Sequence, residues 1–375
     1  MKIAYLSPLL DGSGYSESAI QHMMALDAVG VDVVARSIKM TPNSYPVSNK
    51  VHEFLKKDLN NVDVVIQHNL PSEFCYKGGV KNVGIFAYET SGFPHTDWKF
   101  GLSLMDQILV SCNYQKESVK NTCGPLLESK THVIPHPVDV SKFSKAWEPM
   151  SFDTTENIVK FYSIAEFNKR KNIAALLVSY YTAFDHNDNV LLVLKTNLGS
   201  NEREFEKFCQ SLKQELGRFK NLNYYPKVAL ISHRLKDEYI NSLHSGGDVY
   251  VTSSHGEAIC LPVLDAIGFG KPAIVPSHSA FLDYTFDGDY DLLVKCQESI
   301  PFGVNEAPEG LYTCDERWNN PSTSDLARAM RYAYNNINEL NSNDRVKKRK
   351  EYVEDVFSYE VVGNKLKEVI SAEAK

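Results

Sequence analysis

The chain has 375 residues, more than one hydrophobic core usually organises, so two domains are expected. Its composition, 43% hydrophobic, 23% charged and 11% aromatic, is that of a globular protein and excludes a fibrous or disordered chain. A formal charge of −7 argues against broad, sequence-independent nucleic-acid binding, which needs a basic face, yet leaves room for a local basic cleft around a phosphate.

Short apolar runs alternate with helical patterns, the signature of parallel sheets covered on both faces. The first strand is predicted at 3–7. A helix follows, with Ala19, Ile20, Met23, Met24 and Leu26 on one side and Gly30 as its stop. Further strands at 31–35, 62–67, 83–88, 107–111 and 132–134 complete one doubly wound unit by about residue 140. The proline-rich, aperiodic stretch 135–149 reads as a linker. Alternation restarts with strands at 159–164, 190–194, 222–225, 248–252 and 273–275 and helices at 173–184, 202–216, 235–244 and 262–268. Amphipathic helices at 324–335, 344–356 and 360–372 close the chain. The expected domains are 1–145 and 146–355, with 356–375 a C-terminal helix packing back toward the first. The basic run from Arg345 to Lys350 is assigned to a solvated helix face, and Asp287-Gly288-Asp289 to a surface turn.

The seven cysteines include no C-x-x-C pair, which removes zinc and thioredoxin-like sites and fits buried, reduced thiols. No basic leader followed by an apolar run opens the chain, and no stretch reaches about 18 apolar residues. The expectation is a cytoplasmic protein without signal peptide or transmembrane segment.

The strongest chemical signal follows the strand at 248–252. That strand runs into Ser253-Ser254-His255-Gly256-Glu257, and Pro262 stands where the next helix begins, a favoured place for proline. Backbone N–H groups at a helix start are unpaired and carry the positive end of its dipole, which suits a diphosphate. Glu257 at the loop tip and Asp265, expected in the helix's first turn, would flank that diphosphate and accept hydrogen bonds from sugar or ribose hydroxyls. The residues by themselves point to a nucleotide-sugar or sugar-phosphate site.

Asp248-Val249-Tyr250-Val251, Ser254-His255-Gly256-Glu257, Leu261-Pro262-Val263-Leu264-Asp265-Ala266 and Gly268-Phe269-Gly270-Lys271-Pro272 together resemble the E-x7-E block of family-4 glycosyltransferases, retaining enzymes of the GT-B fold. Phe161-Tyr162-Ser163-Ile164 with Lys169-Arg170-Lys171-Asn172, Val193-Leu194-Lys195-Thr196, Ile134-Pro135-His136-Pro137-Val138-Asp139 and Tyr88-Glu89-Thr90 extend the resemblance over most of the chain. It implies an α/β architecture of two doubly wound, Rossmann-like domains facing a central cleft. It also implies retaining, metal-independent transfer of a hexosyl or pentosyl group from a nucleotide-diphosphate sugar to an acceptor hydroxyl. On that reading Glu257 contacts the donor sugar's hydroxyls and Asp265 the ribose. Lys171, with Arg170 beside it, neutralises the leaving diphosphate, and the backbone from Ala258 through Ile259 and Cys260 to Leu261 cradles the phosphates. Lys195 and His255 belong to the same donor side. The nucleotide sugar is a co-substrate, and neither cofactor nor metal is implied. The chain departs from the family pattern at Asp265, one methylene shorter than glutamate, and at Glu166, where many members carry arginine. Ala258 and Cys260 stand where glycines are usual.

In the N-terminal half, Asp11-Gly12-Ser13-Gly14-Tyr15-Ser16-Glu17 opens the first helix. Gly12, Ser13, Gly14 and Tyr15 either face the cleft or form a tight turn that needs glycine for its backbone. His68-Asn69 and Glu89-Thr90, which end strands, and His95, just beyond, are candidates to orient an acceptor hydroxyl. That acceptor is open among a glycan, a lipid-linked sugar, a metabolite, a protein and, disfavoured by charge, a modified nucleic acid. Peripheral contact with a membrane is also left open. Competing readings are an NADP site anchored by Arg36, a metal-dependent transferase using Asp287-Gly288-Asp289, a sugar-nucleotide epimerase or phosphorylase, and a non-catalytic nucleotide-sugar-binding protein.

Overall fold

The computed structural model describes residues 1–42, 44–152, 158–198, 201–217, 225–304 and 309–372, with the side chains at 287, 290 and 291 outside the description. The chain divides into two compact units. The first joins Met1–Val140 to Asn305–Arg317 and Glu354–Lys375, and the second joins Ser141–Val304 to Trp318–Val353.

The first unit is built on β1 (Lys2–Ser7), β2 (Asp32–Ser37), β3 (Val64–His68), β4 (Lys81–Ile85), β5 (Gln107–Val110) and β6 (Thr131–Val133). They form one parallel sheet in the order β2-β1-β3-β4-β5-β6. Most residues of β1 to β5 are buried or nearly so, as expected where helices cover both faces. The first helix, Gly14–Ala28, starts at Ser13, whose hydroxyl accepts from Ser16 N at 3.1 Å. It buries Ala19, Met23 and Leu26 against Ile3, Tyr5 and Val33 and stops as the chain turns through Gly30 at φ +76°. The C-terminal helix Tyr359–Ser371 packs on that first helix and adds Val362, Leu366 and Ile370 to the same core. Gly363 makes the approach close: a Cβ there would stand 2.2 Å from the Ala25 carbonyl oxygen.

The second unit repeats the plan with β7 (Val159–Ile164), β8 (Val190–Lys195), β9 (Lys227–Ile231), β10 (Val249–Val251), β11 (Ala273–Pro276) and β12 (Leu293–Val294), ordered β12-β11-β10-β7-β8-β9. An antiparallel pair, β13 (Cys296–Ser299) and β14 (Trp318–Pro321), stands apart from this sheet. The strand expected at 222–225 lies mostly outside the described residues, and β9 begins at Lys227. Among the described residues no helix is long and apolar enough to cross a membrane.

Two surface expectations in this unit fail at one residue each, while Lys347 and Lys348 of the basic run are exposed as expected. Arg349, in the run assigned to a solvated face, is fully buried, and so is Asp289 of the expected surface turn. Arg349 Nε and Nη2 donate to the two Asp289 carboxylate oxygens at 2.8 and 2.7 Å, while Nη1 reaches the carbonyls of Leu340 at 2.7 Å and Gly270 at 3.1 Å. A periodic face cannot show that one of its charges has a buried counter-ion sixty residues earlier. All seven cysteines are free, but Cys75 is exposed and Cys209, Cys296 and Cys314 are half-buried, so the thiols are not uniformly interior. Arg36 is spent on the carbonyls of Ala35, Leu55 and Lys57 at 2.7–3.2 Å, which removes the anchor of the NADP reading.

Breaking a buried ion pair from one side strands the other charge. Asp289→Ala is expected to cost about 3–5 kcal/mol in urea unfolding, whereas Lys347→Ala on the exposed part of the same helix stays within about 0.5 kcal/mol. Gly363→Ala tests the helix contact in the first unit. Propensity alone would favour alanine by up to about 1 kcal/mol, but the clash with Ala25 dominates, and a net loss of about 1–3 kcal/mol is expected. A gain in stability would show that the two helices are free to part.

Candidate functional site

In the second unit the chain runs from β7 to β8 on one side and later places β10 on the other side of β7. The loops leaving β7 and β10 therefore meet at the carboxyl edge of the sheet, at the switch in strand order where open α/β sheets bind ligands. The loop after β7 turns at Asn172, held at φ +52°, whose side chain accepts from Ala175 N at 3.4 Å and so caps the helix Ile173–Ala183. The same turn sets Arg170 and Lys171 against the loop after β10. His255 N donates to Arg170 O at 2.8 Å, and the Ser253 hydroxyl donates to Asn172 O at 2.8 Å, binding the two loops together.

Glu257 lies at their junction with 3% of its surface exposed. Its Oε2 accepts from Arg170 Nη1 at 2.8 Å and its Oε1 from Lys171 Nζ at 2.6 Å. Arg170 Nη1 also reaches Gly256 O at 2.9 Å. Burial pushes the Glu257 carboxyl up, but the charges of Arg170 and Lys171 and their hydrogen bonds outweigh it and hold the group at about 2. The backbone is fixed as well, with Glu257 N donating to Ser279 Oγ at 3.2 Å and Ala280 N donating to Glu257 O at 3.2 Å. Among the described residues, two cations meet this one carboxylate. A few residues on, the helix Leu261–Gly268 begins at Cys260 with no side chain capping it. Such an arrangement can receive an anion at its helix start, where the charges of Lys171 and Arg170 are felt.

His255 is fixed on three sides. Its ring stacks on Trp318 at 4.4 Å between centroids and 15° between planes. Its Nδ1 lies 2.9 Å from the Asn319 carbonyl, which can only accept, so Nδ1 carries the proton. Asn319 N returns a bond to His255 O at 3.0 Å. Burial lowers the pKa of the ring, and the neutral tautomer leaves Nε2 as an acceptor. His278 is buried too, and burial holds it at about 4, with His255 and Glu257 close enough to act on its charge. Trp318, Ser279 and His278 went unread in the sequence. The strand carrying Trp318 has four residues and no alternation, and only the pairing of β14 brings it to His255.

The other expected donor residues are distributed as follows. Ala258 and Cys260 are buried in the loop, with Ile259 and Leu261 partly open between and after them. Lys195, at the end of β8, is 6% exposed and donates to Asn197 Oδ1 at 2.8 Å. Its pKa is lowered by burial and by Arg234 nearby, against the pull of Glu166. Glu166 itself is exposed. Asp265 does not sit in the first turn: the helix starts at Leu261, one residue before Pro262, and Asp265 is its fifth residue. It pairs with Lys142 Nζ at 2.5 Å, a residue from the stretch expected to be only a linker.

In the first unit Gly12 takes φ +65°, which favours glycine, and Gly14 opens the helix that Ser13 caps. The Tyr15 hydroxyl lies 3.2 Å from both the N and the O of Ala87. His68 is buried, with Nδ1 2.8 Å from the Tyr5 hydroxyl and the Tyr15 ring edge-on at 5.7 Å. Glu89 accepts from the Tyr312 hydroxyl, and His95 pairs with Asp315. The structure thus joins Tyr15 to His68 and leaves Glu89 with a partner from a different segment.

No family model matches the chain. A viral protein named "Putative glycosyltransferase ORF315", from Acidianus bottle-shaped virus (isolate Italy/Pozzuoli), is 29% identical over 184 residues, covering 45% of this chain and 54% of the relative. The match thus spans about half the length of that curated relative. Among solved structures, a glycosyltransferase from Rickettsia africae aligns over 98% of this chain and 97% of its own with a TM-score of 0.66 at 15% identity. Sucrose-phosphate synthase from Thermosynechococcus elongatus aligns over 98% of both chains with a TM-score of 0.63 at 16% identity. Anabaena HepE, in complex with UDP and glucose, aligns over 99% of both with a TM-score of 0.59 at 12% identity. The chain has the fold these proteins share, the GT-B fold of two Rossmann-like units, and it resembles glycosyltransferases.

Proposed function

We propose that the chain is a retaining, metal-independent glycosyltransferase that moves a sugar from a nucleotide-diphosphate donor to an acceptor hydroxyl. The observation that carries this reading is the Arg170–Lys171–Glu257 cluster beside the uncapped start of the helix Leu261–Gly268. A departing diphosphate needs positive charge that is already in place, and two fixed cations with a helix N-terminus supply it. Glu257 orients both cations, and its oxygens keep lone pairs for the sugar hydroxyls. Arg170 supplies the second charge that Glu166 cannot. Lys195 and neutral His255 Nε2 are assigned to the donor side, as is Asp265 by the resemblance, with its carboxylate paired to Lys142. The structure of HepE with UDP and glucose supports a nucleotide sugar as donor. Seven free cysteines agree with a cytoplasmic setting. In this proposal the leaving phosphate oxygen assists deprotonation of the acceptor on the same face of the sugar, which retains the anomeric configuration.

Lys171→Ala is expected to lower kcat by about 10²–10³ with donor still bound, as for loss of one preorganised electrostatic contact. Lys171→Arg should recover part of it. Turnover in the presence of EDTA should equal that without it, and restoration by manganese of activity lost to the chelator would overturn the metal-independent reading. A thermal-shift series with UDP-, GDP-, ADP- and CDP-sugars identifies the donor, since a ligand at 100 times its Kd adds about 2.7 kcal/mol. Absence of any shift argues against the whole proposal.

Glu257 carries a separate pH prediction. Its carboxyl is lowered from the usual 4.5 to about 2, so its contribution is fully present above pH 4.5 and is lost as pH falls toward 2. Glu257→Gln should be about 3 kcal/mol less stable than the parent at pH 7, with the gap closing between those two pH values in urea unfolding. A constant gap would show that the ion pairs are not what holds the loop.

A further inference from the structure

The antiparallel pair β13 and β14 takes no part in the parallel sheet of the second unit, yet its base is fixed. Lys295 N donates to Asp325 Oδ2 at 2.8 Å, Ser322 N donates to Lys295 O at 2.8 Å, and the Ser322 hydroxyl caps the helix Thr323–Asn335. From this base β14 brings two consecutive residues to one histidine. Asn319 exchanges two hydrogen bonds with His255, and Trp318, 2% exposed, lies flat against the imidazole.

His244 shows what a histidine used only for packing looks like in this unit. Its ring stacks on Phe269 at 5.4 Å and 4°, and its Nδ1 lies 3.0 Å from the Tyr162 hydroxyl. Its Nε2 is sealed off without a partner among the described residues. His255 is stacked more closely and is bonded as well. Its Nε2 differs: it makes no hydrogen bond among the described residues and keeps accessible surface.

Two rotations decide where an imidazole nitrogen points, the flip that exchanges the two nitrogens and the tilt of the ring plane. The bond from Nδ1 to Asn319 O selects the flip, and the face of Trp318 selects the plane. With both freedoms removed the Nε2 lone pair has one direction, and a hydroxyl that donates to it need not order the ring first. Two residues further on, the Glu257 carboxylate is an acceptor too, and His255 and Glu257 both act on the charge of His278, which puts them in one neighbourhood. Neighbouring fixed acceptors match a molecule whose outer groups are hydroxyls.

We propose that Trp318 is a positioning residue of the donor site, holding the His255 ring in the plane from which Nε2 accepts a hydroxyl of the transferred sugar. The proposal rests on the glycosyltransferase reading and extends it by giving the β13–β14 pair a part in recognising the sugar rather than the diphosphate.

The full chain is labelled with nitrogen-15 histidine, and the ring nitrogens of His255 are followed by long-range proton–nitrogen correlation, with His255→Phe to assign them. The probes are UDP-glucose, GDP-mannose, ADP-glucose and CDP-glucose, each beside its bare nucleoside diphosphate. In the parent, Nδ1 should report as protonated, and a nucleotide sugar should move the Nε2 resonance where its diphosphate does not. His255→Phe, which keeps a ring against Trp318, should weaken that nucleotide sugar about tenfold and spare its diphosphate.

Trp318 itself is read through pH. Burial holds the His255 ring below its usual value, so the accepting neutral form is present above that pKa and is lost as pH falls through it. Lys169, from the loop after β7, and His278, from the loop after β11, are the ionisable groups acting on this ring from other elements, and neither is substituted. Trp318→Leu opens the ring to water, so the His255 titration and the loss of sugar-dependent binding should both move to higher pH. Trp318→Phe should return both toward the parent. A tryptophan that merely packs would lower the melting temperature and leave both titrations in place, and that outcome overturns the proposal. So does a nucleotide sugar that raises the melting temperature while Nε2 stays where the bare diphosphate leaves it. Should Trp318→Leu fail to fold, the parent spectra and Trp318→Phe still decide. No rise in melting temperature with any probe sinks the glycosyltransferase reading, and this assignment with it.

Discussion

The second unit is organised around one buried carboxylate. Glu257 has almost no contact with water, and an isolated ionised carboxylate in that position would take up a proton. It stays charged because the turn after β7 delivers Arg170 and Lys171 to its two oxygens. That requirement links several otherwise unrelated features: the left-handed Asn172, the bonds from His255 and Ser253 back to the basic turn, and the hold of Ser279 and Ala280 on the Glu257 backbone. Each fixes one side of the ion cluster.

The same unit shows how differently buried charges are used. Arg349 and Asp289 satisfy one another in a bidentate pair, the two further Arg349 bonds end on carbonyls, and Arg345 adds a contact to Asp289 at 3.7 Å while pairing with Glu339 at 2.7 Å. Around Glu257 the described residues place two cations on one anion, beside a helix start without a side-chain cap. His255 is joined to the second cluster through the bond from its N–H to Arg170 O. Its stacking on Trp318 and its bond to Asn319 settle its tautomer and leave one ring nitrogen able to accept.

A comparable contrast runs through the first unit. The polar residues that the sequence offers most visibly at its carboxyl edge, Ser13, Tyr15 and His68, are engaged with their own fold. Asn69, next to His68, is buried, and its Oδ1 has no partner among the described residues. Which of two adjacent polar residues finds a partner depends on what stands across from each, and strand pairing fixes that rather than residue type.

The sequence by itself determined the succession of strands and helices, because burial on both faces of a parallel sheet leaves unbroken apolar runs and surface helices leave a periodic stripe. The strand Val159–Ile164 and the helix Glu202–Leu216 fall where those patterns place them. It also singled out the stretch from Ser254 to Asp265, through the succession of strand, small residues, acid and Pro262. Tertiary structure alone decided the partners. Arg170 and Lys171 lie about ninety residues from Glu257, Lys142 lies more than a hundred from Asp265, and Trp318 reaches His255 through a strand too short to carry a periodic signal. Local patterns report which face a residue presents. Charge compensation and ring stacking depend on distance in space, which the chain sets only once it has folded.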